Sequence, residues 1–216
     1  MDDQPMTFES RIDAARRLAK ALAKYQGRNP LVLAIPRGAV EMGRVLADEL
    51  EGELDVVLVR KLGAPYSAEF AVGAIDETGW AYVADHASSA GADGAYLERE
   101  QRTQLEILRQ RRAQYSPHRP PVDPQGRIAI VVDDGLATGA TMIAALHAVR
   151  AKQPERLVCA VPVASPDSLE LVRAYCDEVV CLEAPPGFFA VGQFYREFRQ
   201  VEDDEVIELL ANPPAR

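Results

Sequence analysis

The chain has 216 residues, 48% of them hydrophobic and 26% charged, with a formal net charge of −9. That size and balance suit one α/β domain with a full core, and so acidic a chain carries no broad basic field for DNA or RNA. No apolar run approaches the roughly 20 residues of a membrane helix, and the start, Met1-Asp2-Asp3-Gln4, has no apolar signal segment. A cytoplasmic protein that binds neither nucleic acid nor membrane is expected. Three cysteines, Cys159, Cys176 and Cys181, make an odd count and read as reduced thiols, two of them in apolar runs. No Cys/His spacing suggests zinc.

The first segment reads as a helix, because Phe8, Ile12, Ala15, Leu18, Leu22 and Tyr25 recur at steps of three and four. Gly27, Asn29 and Pro30 stop it. Residues 31–35 form a short continuous apolar run, the mark of a strand buried on both faces. Pro36-Arg37-Gly38 turns the chain into a helical stretch over 40–50, and 54–59 is expected as a second buried strand. Residues 72–75 and 80–83, joined through Asp76-Glu77-Thr78-Gly79, predict a hairpin. A polar helix rich in Glu, Gln and Arg runs from about 94 to 115, followed by a loop marked by Ser116-Pro117, Pro120-Pro121 and Pro124. Strands over 157–163 and 179–182 flank a helix opened by Ser165-Pro166 in the favoured N-cap and N1 order. Residues 185–195 are irregular and aromatic, and a helix over 203–210 closes the chain. Buried strands alternating with helices predict a parallel sheet flanked by helices, with ligands at the carboxyl ends of the strands. No Walker loop, GxGxxG, GxSxG or HExxH is present.

Residues 128–142 carry the chemistry. The apolar run 128–132 ends in Asp133 and Asp134; a loop follows, Gly135-Leu136-Ala137-Thr138-Gly139-Ala140-Thr141, and then a helix with Met142, Leu146 and Val149 on one face. The free N–H groups and dipole of a helix N-terminus favour a phosphate. Gly139 lets the backbone come close to it, and Thr138 and Thr141 add hydroxyl donors. Two carboxylates repel phosphate but suit vicinal sugar hydroxyls or a divalent cation. Diol acceptors beside a phosphate cradle describe a site for a sugar phosphate.

This stretch resembles the motif by which type I phosphoribosyltransferases bind phosphoribosyl pyrophosphate (PRPP): a hydrophobic strand, two acids, two small or apolar residues, Asp or Ala, Thr-Gly, Gly or Ala, and Thr. The resemblance extends over nearly the whole chain, through Glu-Phe-Ala-Val-Gly-Ala-Ile at 69–75, Phe-Tyr-Arg-Glu-Phe at 194–198 and Asp-Asp-Glu-Val at 203–206, and points to a little-characterised bacterial group. It implies a single phosphoribosyltransferase domain over 1–216, an α/β fold with a parallel twisted sheet flanked by helices. Residues 62–126 would form the flexible loop, hairpin and inserted helix, and 184–216 the hood and C-terminal helix. It implies that Asp133 and Asp134 contact the ribose hydroxyls and act in catalysis. Gly135 and the loop from Ala137 through Thr138, Gly139 and Ala140 to Thr141 would hold the rest of PRPP, its 5′-phosphate above all.

The resemblance also assigns the pyrophosphate end. Arg37 and Gly38 fall in the loop that binds pyrophosphate through backbone N–H groups, and Arg37 adds a bidentate donor. Arg60-Lys61 matches the family's Arg-Lys pair at a strand end. Without the resemblance each is equally an ordinary turn or a strand end with solvated charges. Gly63, Pro65, Tyr66 and Ser67 fit a mobile lid that excludes water. The polar helix over 94–115 reads as a solvated or dimer-forming surface, or as an extra lid. In the hood, Phe188, Phe189 or Tyr195 would stack on the acceptor or pack in the core. Ala137 stands where the 6-oxopurine enzymes carry Asp, so hypoxanthine and guanine are disfavoured as acceptors. Glu69, Asp76 and Glu77 are candidate acids or bases; His86, His118 and His147 receive no role.

The reaction implied is Mg²⁺-assisted transfer of phosphoribosyl from PRPP to a nitrogen acceptor, a nucleobase-like heterocycle, releasing pyrophosphate. Mg²⁺ would be held mainly through PRPP, and a homo-oligomer is expected by family analogy. The alternatives are a non-catalytic PRPP-sensing regulator, and a phosphatase or amidotransferase partner, for which no nucleophile is evident.

Overall fold

The computed structural model describes residues 8–115 and 120–211. The loop prolines at 120, 121 and 124 fall inside that range, whereas Ser116-Pro117 and His118 lie outside the described residues. Five parallel strands form the central sheet in the order β2 (Glu53–Val56), β1 (Leu31–Ala34), β6 (Ile128–Val132), β7 (Arg156–Val163) and β8 (Glu178–Glu183). Successive side chains of a strand point to opposite faces, and here both faces are covered. On β6, Ile128, Ile130 and Val132 enter one core with Val32 and Ala34 of β1, packed under α1 (Arg11–Ala21) and α2 (Ala39–Glu49). Ala129 and Val131 enter the other with Leu31 and Leu33, under α4 (Ala140–Arg150) and α5 (Pro166–Arg173). That double burial is why these runs are apolar throughout rather than alternating.

The strand order reverses between β1 and β6. From β1 the chain steps outward to β2, whereas from β6 it steps the other way to β7 and β8. Such a switch point leaves a crevice at the carboxyl ends of the two central strands. Ala34 is in register with Val132, so the segments that follow, Pro36-Arg37-Gly38 and Asp133-Asp134, emerge side by side.

A second, antiparallel sheet consists of β3 (Val59–Ala64), β4 (Ser67–Asp76) and β5 (Ala81–Val83). The expected hairpin through Asp76 is its β4–β5 half, and the turn is tied by the Asp76 carboxylate, which accepts from the backbone of Thr78 at 2.8 Å and of Trp80 at 3.1 Å. The single strand expected over 54–59 is instead two. Pairing in the central sheet ends where the Val57 N–H donates to the Ala34 carbonyl at 3.0 Å, and β3 begins at Val59. Val56 and Leu58 go to one core and Val57 and Val59 to the other, so an unbroken apolar run serves both sheets. The segment read as a lid, Gly63 to Ser67, is a β3–β4 turn: Gly63 lies in β3, so close to Ala68 that a Cβ there would stand 2.7 Å from the Ala68 Cα.

The polar helix is α3 (Gly94–Tyr115), with Leu108 and Tyr115 buried. It docks on the second sheet through the Tyr96 hydroxyl, which donates to the Gly63 carbonyl of β3 at 2.7 Å, and through Arg112, which pairs with Glu77 of the β4–β5 turn at 2.8 Å. The hood segment runs through a short 3₁₀ turn, Val191–Phe194, to α6 (Asp203–Ala211), which contacts α2 and α3. Among the described residues no helix is long and apolar enough to cross a membrane.

Candidate functional site

Asp133 and Asp134 follow β6 at the mouth of the crevice. The Asp133 carboxylate accepts from the Asp134 backbone N–H at 2.9 Å, which turns the pair out of the strand. Asp134 is fixed by a residue that the motif does not contain. Arg11 Nε donates to its Oδ2 at 2.8 Å, across 123 positions of sequence. Arg11 itself is 6% exposed. Its Nη1 donates to the Arg199 carbonyl at 2.7 Å, and its guanidinium lies 4.0 Å over the Phe198 ring. The Tyr195 hydroxyl donates to the Asp134 carbonyl at 2.6 Å. Gly38 is required by this packing: a Cβ there would stand 2.7 Å from Arg11 Nη2 and 2.8 Å from Asp134 Oδ2.

Burial, followed by repulsion from Asp134, pushes the Asp133 carboxyl well above the usual carboxylate range. Burial also raises Asp134, while the Arg11 guanidinium pulls it back. Two acids held this way resist both being ionised at once. Hydroxyl donors or a divalent cation beside the pair would reverse that preference. Among the described residues no group of three or more His, Cys, Asp or Glu forms a cage for a metal.

The loop beyond the acids is shaped for close approach. Gly139 has φ 78°, a left-handed conformation that side chains disfavour, and it opens α4. The Ala137 carbonyl is drawn away towards α5, accepting from the Ser168 hydroxyl at 2.6 Å and the Ser165 hydroxyl at 3.1 Å. Ala137 and Thr138 are exposed, and the N-terminus of α4 points its free N–H groups into the loop. Ala140 is buried at the first turn. Gly135 lets the hood pack down, since a Cβ there would meet Val191 Cγ1 at 2.8 Å.

One cavity of about 440 Å³ brings together Arg37, Gly38, Arg60, Lys61, Asp133, Asp134 and Thr141. Arg37 lies beside the Pro36–Arg37 peptide, which is cis, and pairs with Glu202 at 3.1 Å. Arg60 donates to the side-chain oxygen of Gln104, a residue of α3. The polar helix, read from sequence as a solvated surface or an extra lid, therefore reaches the cavity, where Glu100, Gln104 and Arg111 form part of its wall. Glu69 lies on the wall too, while Asp76 is fully buried in its own turn and Glu77 is held by Arg112. His147 stacks on Trp80 with ring centres 3.7 Å apart, away from the cavity.

The three hood aromatics do not converge. Tyr195 is 6% exposed and packs on Phe8 and Phe198. Phe188 leans on the buried Phe194, and Phe189 is 88% exposed. Arg11 is the site residue that the sequence reading missed. Its signal was a charge on the face that α1 buries, in line with Ala14, Ala15 and Leu18.

Over residues 7–199 the sequence matches the phosphoribosyl transferase domain family, and the chain belongs to that family. Its architecture is the type I phosphoribosyltransferase fold. The crystal structure of the Thermus thermophilus protein TT1426 is similar, with 46% identity, a TM-score of 0.80 and coverage of 95% of this chain and 98% of that one. Two Mycobacterium tuberculosis proteins, provisionally named phosphoribosyl transferases, are each 43% identical over 204 residues, which is 94% of this chain and 46% of theirs. The chain thus spans about half the length of those relatives.

Proposed function

We propose that the chain transfers phosphoribosyl from PRPP to a nitrogen acceptor and releases pyrophosphate. The observation that carries this reading is the cavity itself. It brings the acids Asp133 and Asp134 and the opening of the α4 loop together with the cations Arg37, Arg60 and Lys61. Acids beside a phosphate loop fit ribose 5-phosphate, and the cations of the same cavity fit a leaving pyrophosphate.

The 5′-phosphate sits in the loop from Ala137 to Thr141, against the N-terminus of α4. Asp133 and Asp134 accept the ribose hydroxyls, which favours their ionised forms, and their charge then stabilises the positive ring that develops at the ribose C1. Arg37, Arg60 and Lys61 hold the departing pyrophosphate. Asp133 and Asp134 offer the oxygen ligands that Mg²⁺ takes, so the donor chemistry fits an ion held mainly through PRPP. When bound, Mg²⁺ neutralises charge on the leaving group. The acceptor enters from the hood side, where Phe189 is the open ring. Glu69 is the one candidate acid or base of the three that faces the cavity.

A PRPP-dependent screen of nucleobases and small nitrogen heterocycles, read as pyrophosphate release with Mg²⁺, tests the reading. Turnover is expected with at least one flat heterocycle, and little with hypoxanthine or guanine, because Ala137 supplies no carboxylate beside the base. PRPP binding with no release for any acceptor would replace the enzyme by a PRPP sensor.

A further inference from the structure

The cavity contains an arginine that lies outside both the motif and the Arg60-Lys61 pair. Arg111 comes from the last turns of α3, is half-buried, and lines the cavity together with Arg37, Arg60 and Lys61. Its ion-pair partner among the described residues is Asp203, with Nε 3.8 Å from Oδ1, beyond hydrogen-bond length. That same oxygen already accepts from the buried Tyr115 hydroxyl at 2.6 Å. The Arg111 fork is therefore not saturated by Asp203.

Arg60, across from it on β3, is bonded to the neutral amide of Gln104 rather than to a carboxylate. Burial, and then the charge of Arg111, lower its pKa from the usual guanidinium value, with nearby Glu100 opposing them in part. Two guanidiniums brought near each other in one cavity repel, and an anion with several oxygens between them turns that repulsion into attraction. The placement is held because Tyr96 and Arg112 tie α3 to Gly63 and Glu77.

We infer that α3 completes the pyrophosphate end of the site, with Arg111 and Arg60 binding the pyrophosphate oxygens together from facing elements. This inference rests on the phosphoribosyl reading above. It makes α3 a wall of the binding site, and it places the contact at one end only. Arg111 acts on the pyrophosphate moiety and leaves the ribose 5-phosphate end alone.

The test is calorimetric titration of the full chain with PRPP, with pyrophosphate and with ribose 5-phosphate, each with Mg²⁺, for the wild type and for Arg111→Ala. Affinity for PRPP and for pyrophosphate is expected to fall at least tenfold, while that for ribose 5-phosphate changes less than twofold. Arg111→Gln keeps the packed stem without the charge and is expected to repeat the pattern, and Arg111→Lys to recover part of the loss. Unchanged pyrophosphate affinity in the Ala and Gln variants would overturn the inference, as would equal loss of all three ligands. A wild type that binds none of the three overturns the phosphoribosyl reading itself, which is a separate result.

Discussion

Arg11 decides how the acidic pair behaves. Buried and bonded to Asp134 at 2.8 Å, it holds that carboxylate towards the ionised state while Asp133 is pushed towards the neutral one. Removing one partner of a buried pair leaves the other uncompensated and costs about 3 kcal/mol or more. Arg11→Gln is therefore expected to lower the melting temperature by roughly 6–12 °C for a chain of this size. PRPP affinity should fall with it, although Arg11 does not line the cavity. A melting temperature within a degree of wild type would show that Arg11 is dispensable.

The opposite sign is expected at Asp133. Its folded-state pKa is raised, so the folded protein holds this proton more tightly than the unfolded chain does. The associated stability is fully present below the unfolded carboxylate value and is lost as pH rises through the raised folded value. Asp133→Asn should therefore stabilise the ligand-free protein at pH 7, by about 2 °C or more, with the gain shrinking on acidification to about pH 4. The same change should weaken PRPP binding. A variant that is both less stable and unable to bind would mean that Asp133 serves the fold instead.

At the scale of elements, the strand–loop–helix unit from Ile128 to Arg150 was legible because its signals are local. An apolar run, two acids, a glycine at φ 78° and a helical face lie within about two dozen residues. The helix over 94–115 was equally plain in extent, yet its contact with the cavity was not, since nothing in its own pattern says which sheet it crosses. The division of 53–64 into two strands was hidden for a related reason: an unbroken apolar run looks the same whether it fills one sheet or passes between two. The Arg11–Asp134 bond and the burial of Tyr195 were invisible because they join the ends of the chain to its middle.

The loop from Ala137 to Thr141 yields a prediction at this scale. Gly139→Val places a β-branched side chain at a positive φ, which costs about 1–3 kcal/mol. The new Cβ would stand in ordinary contact, 3.4 Å from Val172 Cγ1, so the strain lies in the backbone of the loop. Ribose 5-phosphate and PRPP binding should be lost together in titration, while pyrophosphate still binds at the Arg37 and Lys61 end. Loss of all three would point to general misfolding.

At the scale of the whole molecule, the switch between β1 and β6 is what creates the site. It sets Arg37 and Gly38 beside Asp133 and Asp134, and the second sheet then brings Arg60 and Lys61 across the gap. The cavity draws on several elements, so a ligand that fills it ties those elements together. The most direct measurement is the melting temperature of the full chain with PRPP and Mg²⁺. At PRPP about a hundredfold above its dissociation constant the gain is about 2.7 kcal/mol, a rise of roughly 5–10 °C for a chain of this length; ribose 5-phosphate should give a smaller rise. A cooperative melt unmoved by millimolar PRPP and Mg²⁺ would contradict the account.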